Sequence, residues 1–418
     1  MVEDKKPIFF YGYIIVAAGA VIQLLVIGAN LSFGIFLTPL SSELGATSAV
    51  TSGAYSLGYF LFGFSGIVVG RLTDKFGPRI VLIACGLLLG LGYLLMSQVS
   101  SIWQMYLFYG VILGIGMSGS STPVLSTVAR WFVKKRGTVT GITKTGAGIG
   151  ILAMPLLANW LISSYGWRNA YVVLGIIVLA GVIVAALFLK RDPRQIGLLP
   201  DGATEVEAGD SNIGTRQFSL REAIHTRQFW LFSAASFLIM FCAQVVIVHI
   251  APHVIELGIS TTVAAITVSV IGGVSILGRI VMGGISDRLG CKPTLIITIS
   301  FFIVSFVLIQ FAQEAWLFYI FATVSGIGRG AFYTLISPML AELFGLRSLG
   351  AILGGAAFLG AIGGALGPAL SGRIFDVTGS YQLSFLILLA LSIIAIVLIS
   401  FLRPISNEIL RKMHGEFH

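Results

Sequence analysis

Apolar residues fall in twelve long runs, at roughly 13–38, 47–70, 80–99, 104–129, 138–162, 169–189, 229–256, 262–284, 293–312, 316–340, 350–371 and 381–402. Each is long enough to cross ~30 Å of hydrocarbon at a rise of ~1.5 Å per residue. The pattern predicts an all-α membrane protein of twelve transmembrane helices. One long polar segment, 193–228, separates a six-helix unit at 1–192 from a second at 229–418. It carries Pro193, Pro200, Asp201-Gly202 and the acidic, small-residue run Thr204 to Ser211, the composition of a flexible linker. Ser219-Leu220-Arg221-Glu222 has the letters of a capping box, so a short surface helix is expected to lead into the seventh span.

The two halves repeat each other. Gly70-Arg71-Leu72-Thr73-Asp74-Lys75-Phe76-Gly77-Pro78-Arg79 returns half a chain later as Gly283-Gly284-Ile285-Ser286-Asp287-Arg288-Leu289-Gly290-Cys291-Lys292. Gly114-Ile115-Gly116 corresponds to Gly326-Ile327-Gly328, and Met154-Pro155 to Gly367-Pro368. A repeated charged turn in so apolar a chain marks internal duplication. The pattern resembles the signature loop of the major facilitator superfamily of secondary transporters. That resemblance implies two pseudo-symmetric six-helix bundles around a central cavity. It also implies a gating latch at Gly70, Asp74, Lys75, Gly77, Arg79, Gly283, Asp287, Arg288, Gly290 and Lys292. Gly77 and Gly290 permit tight reversals, and Asp74 and Asp287 can accept hydrogen bonds from the start of a neighbouring helix.

Apolar residues make up 56% of the chain, charged residues 10%, and the mean hydropathy is +0.98, which excludes an ordinary soluble protein. The net charge of +9 would suggest nucleic acid in a soluble chain, but its placement explains it here. With the N-terminus inside, cytoplasmic segments hold Lys5, Lys6, Arg71, Lys75, Arg79, Arg130, Lys134, Lys135, Arg136, Lys190, Arg191, Arg194, Arg216, Arg221, Arg227, Arg288, Lys292, Arg347, Arg403, Arg411 and Lys412, whereas external segments hold Arg168 and Arg373. The expectation is a multi-pass inner-membrane protein with both termini cytoplasmic, in contact with lipid and not with nucleic acid. Cys85, Cys242 and Cys291 show no close spacing, so neither a disulfide framework nor a metal site is indicated, and no cofactor is expected. The 51 glycines include Gly146, Gly148 and Gly150 in span five and Gly354, Gly355, Gly360, Gly363 and Gly364 in span eleven. They suit either static close packing or rocking surfaces.

Candidate chemistry lies in what is charged inside the membrane. None of the 17 acidic residues falls at mid-span, yet Lys144, Arg279 and Arg329 lie within spans. A charge at the bilayer centre costs ~2.5–3.5 kcal/mol on insertion scales, so it is normally paired or functional. An anionic substrate is the simplest partner, and the planar fork of arginine matches a carboxylate. Arg329 is ~17 Å from either interface, too far to snorkel, and Tyr333 lies one turn on. Arg279 is nearer the cytoplasmic end and could snorkel instead. His249 is either a packed core residue or a group that titrates near neutrality. Gln244 and Asn30 are possible polar lining.

Val248-His249-Ile250-Ala251-Pro252-His253, Gly278-Arg279-Ile280-Val281-Met282-Gly283 and Gly367-Pro368-Ala369-Leu370-Ser371-Gly372 resemble the monocarboxylate and oxalate:formate branch of that superfamily. The resemblance implies that Arg279 binds the substrate carboxylate. The chain departs from the branch in three places. Animal carriers have an aspartate where Ser275 stands and a lysine in the first span, and oxalate exchangers have a lysine in span eleven. Arg329 would replace that second charge, and His249 would be the proton carrier. The resulting expectation is a monomeric secondary transporter of a small carboxylate, working by proton symport. Carboxylate exchange is the alternative, and an anion-sensing receptor a remote one. No Ser/His/Asp, H-E-x-x-H or phosphate-loop arrangement suggests an enzyme.

Overall fold

The computed structural model describes residues 10–46, 48–202 and 217–403, which are helical almost throughout and contain no strand. Lys5, Lys6, the run Thr204 to Ser211, Arg216, Arg411 and Lys412 lie outside the described residues. The helices are α1 (Gly12–Leu31, resumed as Phe33–Leu44 beyond Ser32), α2 (Ser48–Phe76), α3 (Pro78–Met96) and α4 (Ile102–Trp131). Arg136–Phe188 breaks at Gly166 into two arms, α5 (136–165) and α6 (167–188). The second half comprises α7 (Arg227–Glu256), α8 (Thr261–Leu289), α9 (Cys291–Gln310), α10 (Ala315–Phe344), α11 (Leu349–Thr378) and α12 (Gln382–Ser400). These are the twelve spans the hydropathy pattern predicts, in an all-α membrane protein.

The joints differ from the expected loops. Gly77 (φ 87°, ψ 162°), Gly166 (φ 79°, ψ 159°) and Gly290 (φ 89°, ψ 160°) each reverse the chain alone. That backbone region is closed to residues with a Cβ. The sequence reading placed a loop of several residues before the sixth span, where Gly166 suffices. The fourth span is also irregular: Tyr106–Leu113 is π-helical and Ser118–Ser120 forms a 3-10 turn. Between them, at Gly114, the backbone lies too close to the carbonyl of Gly58 on α2 for any side chain. The predicted capping box forms, with the Ser219 N–H donating to Glu222 Oε2 (2.7 Å) and the Glu222 N–H donating to Ser219 Oγ (3.2 Å).

Packing repeats across the halves. In the first, α1 lies against α5, α2 against α4 and α3 against α6; in the second, α7 lies against α11, α8 against α10 and α9 against α12. Each bundle has its own apolar core, one around Tyr109, Trp131 and Tyr171, the other around Phe232, Phe302 and Phe332. Leu87, Ile176, Val304 and Ile394 of α3, α6, α9 and α12 are exposed, as a lipid-facing belt requires. Trp103, Trp160, Tyr165 and Trp316 form an exposed aromatic girdle at one end of the bundles. The other end carries the two charged loops and both ends of the described chain, and is called here the basic face.

The bundles meet along two seams, α2 with α11 and α5 with α8. The glycines of α5 and α11 divide between two jobs. Gly146 and Gly150 press on α1 and Gly363 and Gly367 on α7, inside their own bundles, whereas Gly148 and Gly354 face Ile276 and Gly66 across the seams. Seam contacts run from Gly70–Gly350 and Gly283–Gly137 at the basic face up to Gly63–Ala361 and Gly148–Ile276. Farther along α8, a Cβ on Gly272 or Gly273 would meet nothing within 4 Å. The seams are closed at the basic face and part beyond it.

Candidate functional site

Just beyond the closed stretch, five helices of both bundles bring their polar side chains together. α10 contributes Tyr333 at the centre, with Lys144 Nζ from α5 5.5 Å from its ring centroid and Arg329 Cζ 5.6 Å from it. Arg279 of α8 turns inward, only 6% exposed, and its Nη1 donates to the Lys144 carbonyl. Snorkelling toward the interface, the alternative open to Arg279 from its position in the helix, is not what the side chain does. Three like charges are thus gathered around one tyrosine. Gln244 of α7 reaches across to Tyr59 of α2, Nε2 to hydroxyl 3.4 Å, and Tyr59 is in turn within the field of Tyr333 and Arg329.

The cluster holds three cations and no acid. Among the described residues no carboxylate lies within 4.0 Å of Lys144, Arg279 or Arg329. Arg279 Nε is buried with no acceptor among the described residues, and an unmet buried donor costs ~1–3 kcal/mol, more when charged. The Nε edge of a guanidinium is half of the fork that grips a carboxylate. Gly148 makes the pose possible, since a Cβ there would fall 3.3 Å from Arg279 Nη1 and collide with Ile276.

Two predicted residues stand apart. Asn30 donates to the Tyr109 hydroxyl (3.1 Å) and accepts from the Tyr55 hydroxyl (3.3 Å), a network inside the first bundle. His249 lies between Pro368, whose carbonyl is 2.9 Å from Nε2, and the Tyr381 hydroxyl, 3.2 Å from Nδ1. Both ring nitrogens are thereby engaged within the second bundle, and no described contact joins the imidazole to the three cations.

The charged loops form paired junctions at the basic face. Asp74 accepts from Arg130 Nη2 (2.8 Å) and, across the seam, from the N–H groups of Gly350 (3.3 Å) and Ala351 (3.0 Å) at the start of α11. Asp287 accepts from the N–H groups of Gly137 (2.6 Å) and Thr138 (2.8 Å) and from Thr138 Oγ1 (2.6 Å) at the start of α5. Free N–H groups and the helix dipole favour an anion at both places. Gly70 and Gly283, one turn earlier, are points of close backbone approach across the seams. The other loop cations do different work: Lys292 donates to the carbonyls of Ser400 (2.8 Å) and Leu402 (2.7 Å), capping α12, while Lys75 lies 5.1 Å from the Phe76 ring. Arg79 and Arg288 are exposed and have no described carboxylate within 4.0 Å. Cys291 is buried beside this junction, within the fields of Glu342, Arg136 and Asp287.

The family model of the Major Facilitator Superfamily matches residues 19–309 and 255–412, nearly the whole chain. The chain belongs to that superfamily. It is a multi-pass membrane transporter and not an enzyme. Among its curated relatives are monocarboxylate transporters. It is 29% identical to monocarboxylate transporter 13 of Rattus norvegicus over 92% of this chain and 87% of that one. It is 27% identical to human monocarboxylate transporter 2 over 84% of this chain and 77% of that one. An uncharacterized MFS-type transporter of Escherichia coli, YhjX, is 25% identical over 79% and 80% of the two chains. Among solved structures, FucP in the outward conformation superposes with a TM-score of 0.71 at 16% identity, covering 94% of this chain and 99% of that one. The proton:xylose symporter XylE gives 0.74 at 15% identity, covering 94% and 96%. These last two likenesses speak for the fold.

Tyr59, and the room Gly148 leaves for Arg279, were not legible as parts of this facilitator's site from sequence. Tyr59 sits in an aromatic-rich stretch that reads as lipid-facing surface, and nothing local marks it as turned inward. Gly148 was visible only as one member of a glycine run.

Proposed function

We propose that this transporter carries a small monocarboxylate by alternating access, with the substrate carboxylate gripped by Arg279. The buried guanidinium, unmatched by any described carboxylate, is the observation that carries the reading. The names of the curated relatives point to the same substrate class. The basic face is assigned to the cytoplasm of a cell with both chain ends inside, because that assignment puts the exposed lysines and arginines where the positive-inside rule requires. Asp74 and Asp287 then latch the cytoplasmic side, and the closed seams correspond to an outward-facing state.

We assign proton coupling to Lys144, because it shares the site with Arg279 and Tyr333 while His249 does not. A guanidinium keeps its proton under all working conditions, whereas a lysine amine can give one up and take it back. An entering carboxylate supplies the missing opposite charge and draws the proton back, so anion and proton travel together. Exchange of two carboxylates is the rival reading, and the same residue separates them. Lys144→Gln in proteoliposomes is expected to lose uptake driven by a proton gradient yet keep exchange against internal carboxylate, and His249→Gln to retain both. Gradient-driven uptake by Lys144→Gln at the wild-type rate would refute the coupling assignment.

Arg329, half-buried beside the same tyrosine, supplies a second positive charge for substrates with a second anionic or hydroxyl group. A panel of labelled mono- and dicarboxylates is therefore expected to show Arg329→Gln impaired about tenfold or more toward dianions and little changed toward monocarboxylates, the loss of one charge-assisted contact. Equal losses for both classes would remove the discriminating role.

A further inference from the structure

A second cationic cluster lies at the basic face, well away from the membrane-centre site. Arg71 and Lys75 at the end of α2, Arg191 beyond α6, Arg221 on the short helix Leu220–Ile224 and Arg347 before α11 line one cavity of about 500 Å³. Asp74 is the acid among the lining residues, and its carboxylate is already committed to Arg130 and to two N–H groups of α11. Among the described residues none of the five cations has a carboxylate within 4.0 Å. A basic surface that only fixes topology has no need to converge. Arg79, Lys134, Lys135 and Arg288 are basic residues of the same face that do not line the cavity.

Five convergent positive charges exceed what one carboxylate can satisfy. A phosphate offers several strong acceptor oxygens and up to two charges, and several guanidinium groups can grip it at once. The cavity is built from both bundles: Arg71, Lys75 and Arg191 belong to the first, while Arg347 lies just before α11 of the second. Leu72 and Phe76, on the same turns of α2, are exposed apolar residues, so an acyl chain could continue along the helix from a headgroup held here. We propose that this cavity binds a phosphate-bearing anion that bridges the two bundles and holds the basic face shut. Opening that face would draw Arg347 away from Arg71 and Lys75, so the ligand binds the closed arrangement and favours it by mass action. The inference does not depend on which solute the central site carries.

The test uses the full-length protein in nanodiscs and follows alkylation of Cys291, buried beside the other junction of the same basic face, as the measure of opening. Nanodiscs containing phosphatidylglycerol are expected to slow alkylation about tenfold relative to phosphatidylcholine alone, the effect of a ligand present at ten times its Kd. The double variant Arg221→Gln/Arg347→Gln should lose this protection. Arg347→Lys should keep most of it, and the charge-matched control Lys134→Gln/Lys135→Gln should keep it all. Protection by inorganic pyrophosphate in phosphatidylcholine discs, absent from the double variant, would identify a soluble phosphate compound as the occupant and support the same site. If neither probe protects the wild-type protein, or if the control pair loses protection as fully as the cavity pair, the proposal is wrong. Because the wild-type comparisons with the two probes need no variant, failure of both refutes the proposal even if a variant folds poorly.

Discussion

Arg279→Ala, reconstituted in liposomes, is expected to take up no carboxylate above the protein-free background. Truncating one partner of a buried, hydrogen-bonded charge pair costs ~2–5 kcal/mol, which places the loss at about thirtyfold to several thousandfold. The mutation also removes the donor held by the Lys144 carbonyl and leaves Lys144 beside a smaller positive field. Arg279→Lys sharpens the test, because it keeps the charge and loses the fork. It should retain weak transport with a raised KM, since an ammonium contacts a carboxylate at a point and not along an edge. Gly148→Ala should mimic part of the defect without touching any charge, by crowding Nη1 out of its pose. Wild-type uptake by Arg279→Ala would remove the carboxylate-binding assignment altogether.

The second large effect is expected from Asp74→Asn/Asp287→Asn. Each aspartate joins one bundle to the first turn of a helix in the other, and each contact is a charge-assisted hydrogen bond worth ~1.5–3 kcal/mol. Neutralising both should tilt the protein toward opening at the basic face and speed alkylation of Cys291 at least about tenfold, since ~1.4 kcal/mol already gives that factor. Net carboxylate uptake should fall in parallel, because a transporter that no longer closes on one side cannot complete its cycle. Cys85 and Cys242 are buried within single bundles and should react no faster, which separates seam opening from general unfolding. Unchanged Cys291 reactivity in the double variant would show that the glycine seams, and not the aspartates, keep this face closed.

Local chemistry made parts of this structure readable in advance. The reversals at Gly77 and Gly290 follow from a backbone conformation that needs no partner to recognise, and the Ser219/Glu222 box is a pattern of four adjacent residues. Tyr333 one turn from Arg329 follows from helical spacing. Contacts across the fold were harder to see. Lys144 and Arg279 meet because α5 and α8 cross at a seam, a pairing that no stretch of sequence announces. His249 and Asn30 looked like lining residues because they are polar in apolar helices. Their partners, Pro368, Tyr381, Tyr55 and Tyr109, are supplied by neighbours in the same bundle. Lys292 reads as part of the charged loop, and only the position of the end of α12 gives it a capping role.

The single-glycine joints tie motion at the seams to the surrounding bilayer. Three of the four seam helices, α2, α5 and α8, each pass into a lipid-exposed helix, α3, α6 or α9, through one residue without slack. The fourth, α11, reaches α12 through the longer stretch Gly379–Tyr381. A tilt of a seam helix must therefore swing its outer partner through the acyl chains, and every turnover does mechanical work on the membrane. Stiffer or thicker bilayers should slow the cycle through these three levers even when solute binding is unaffected.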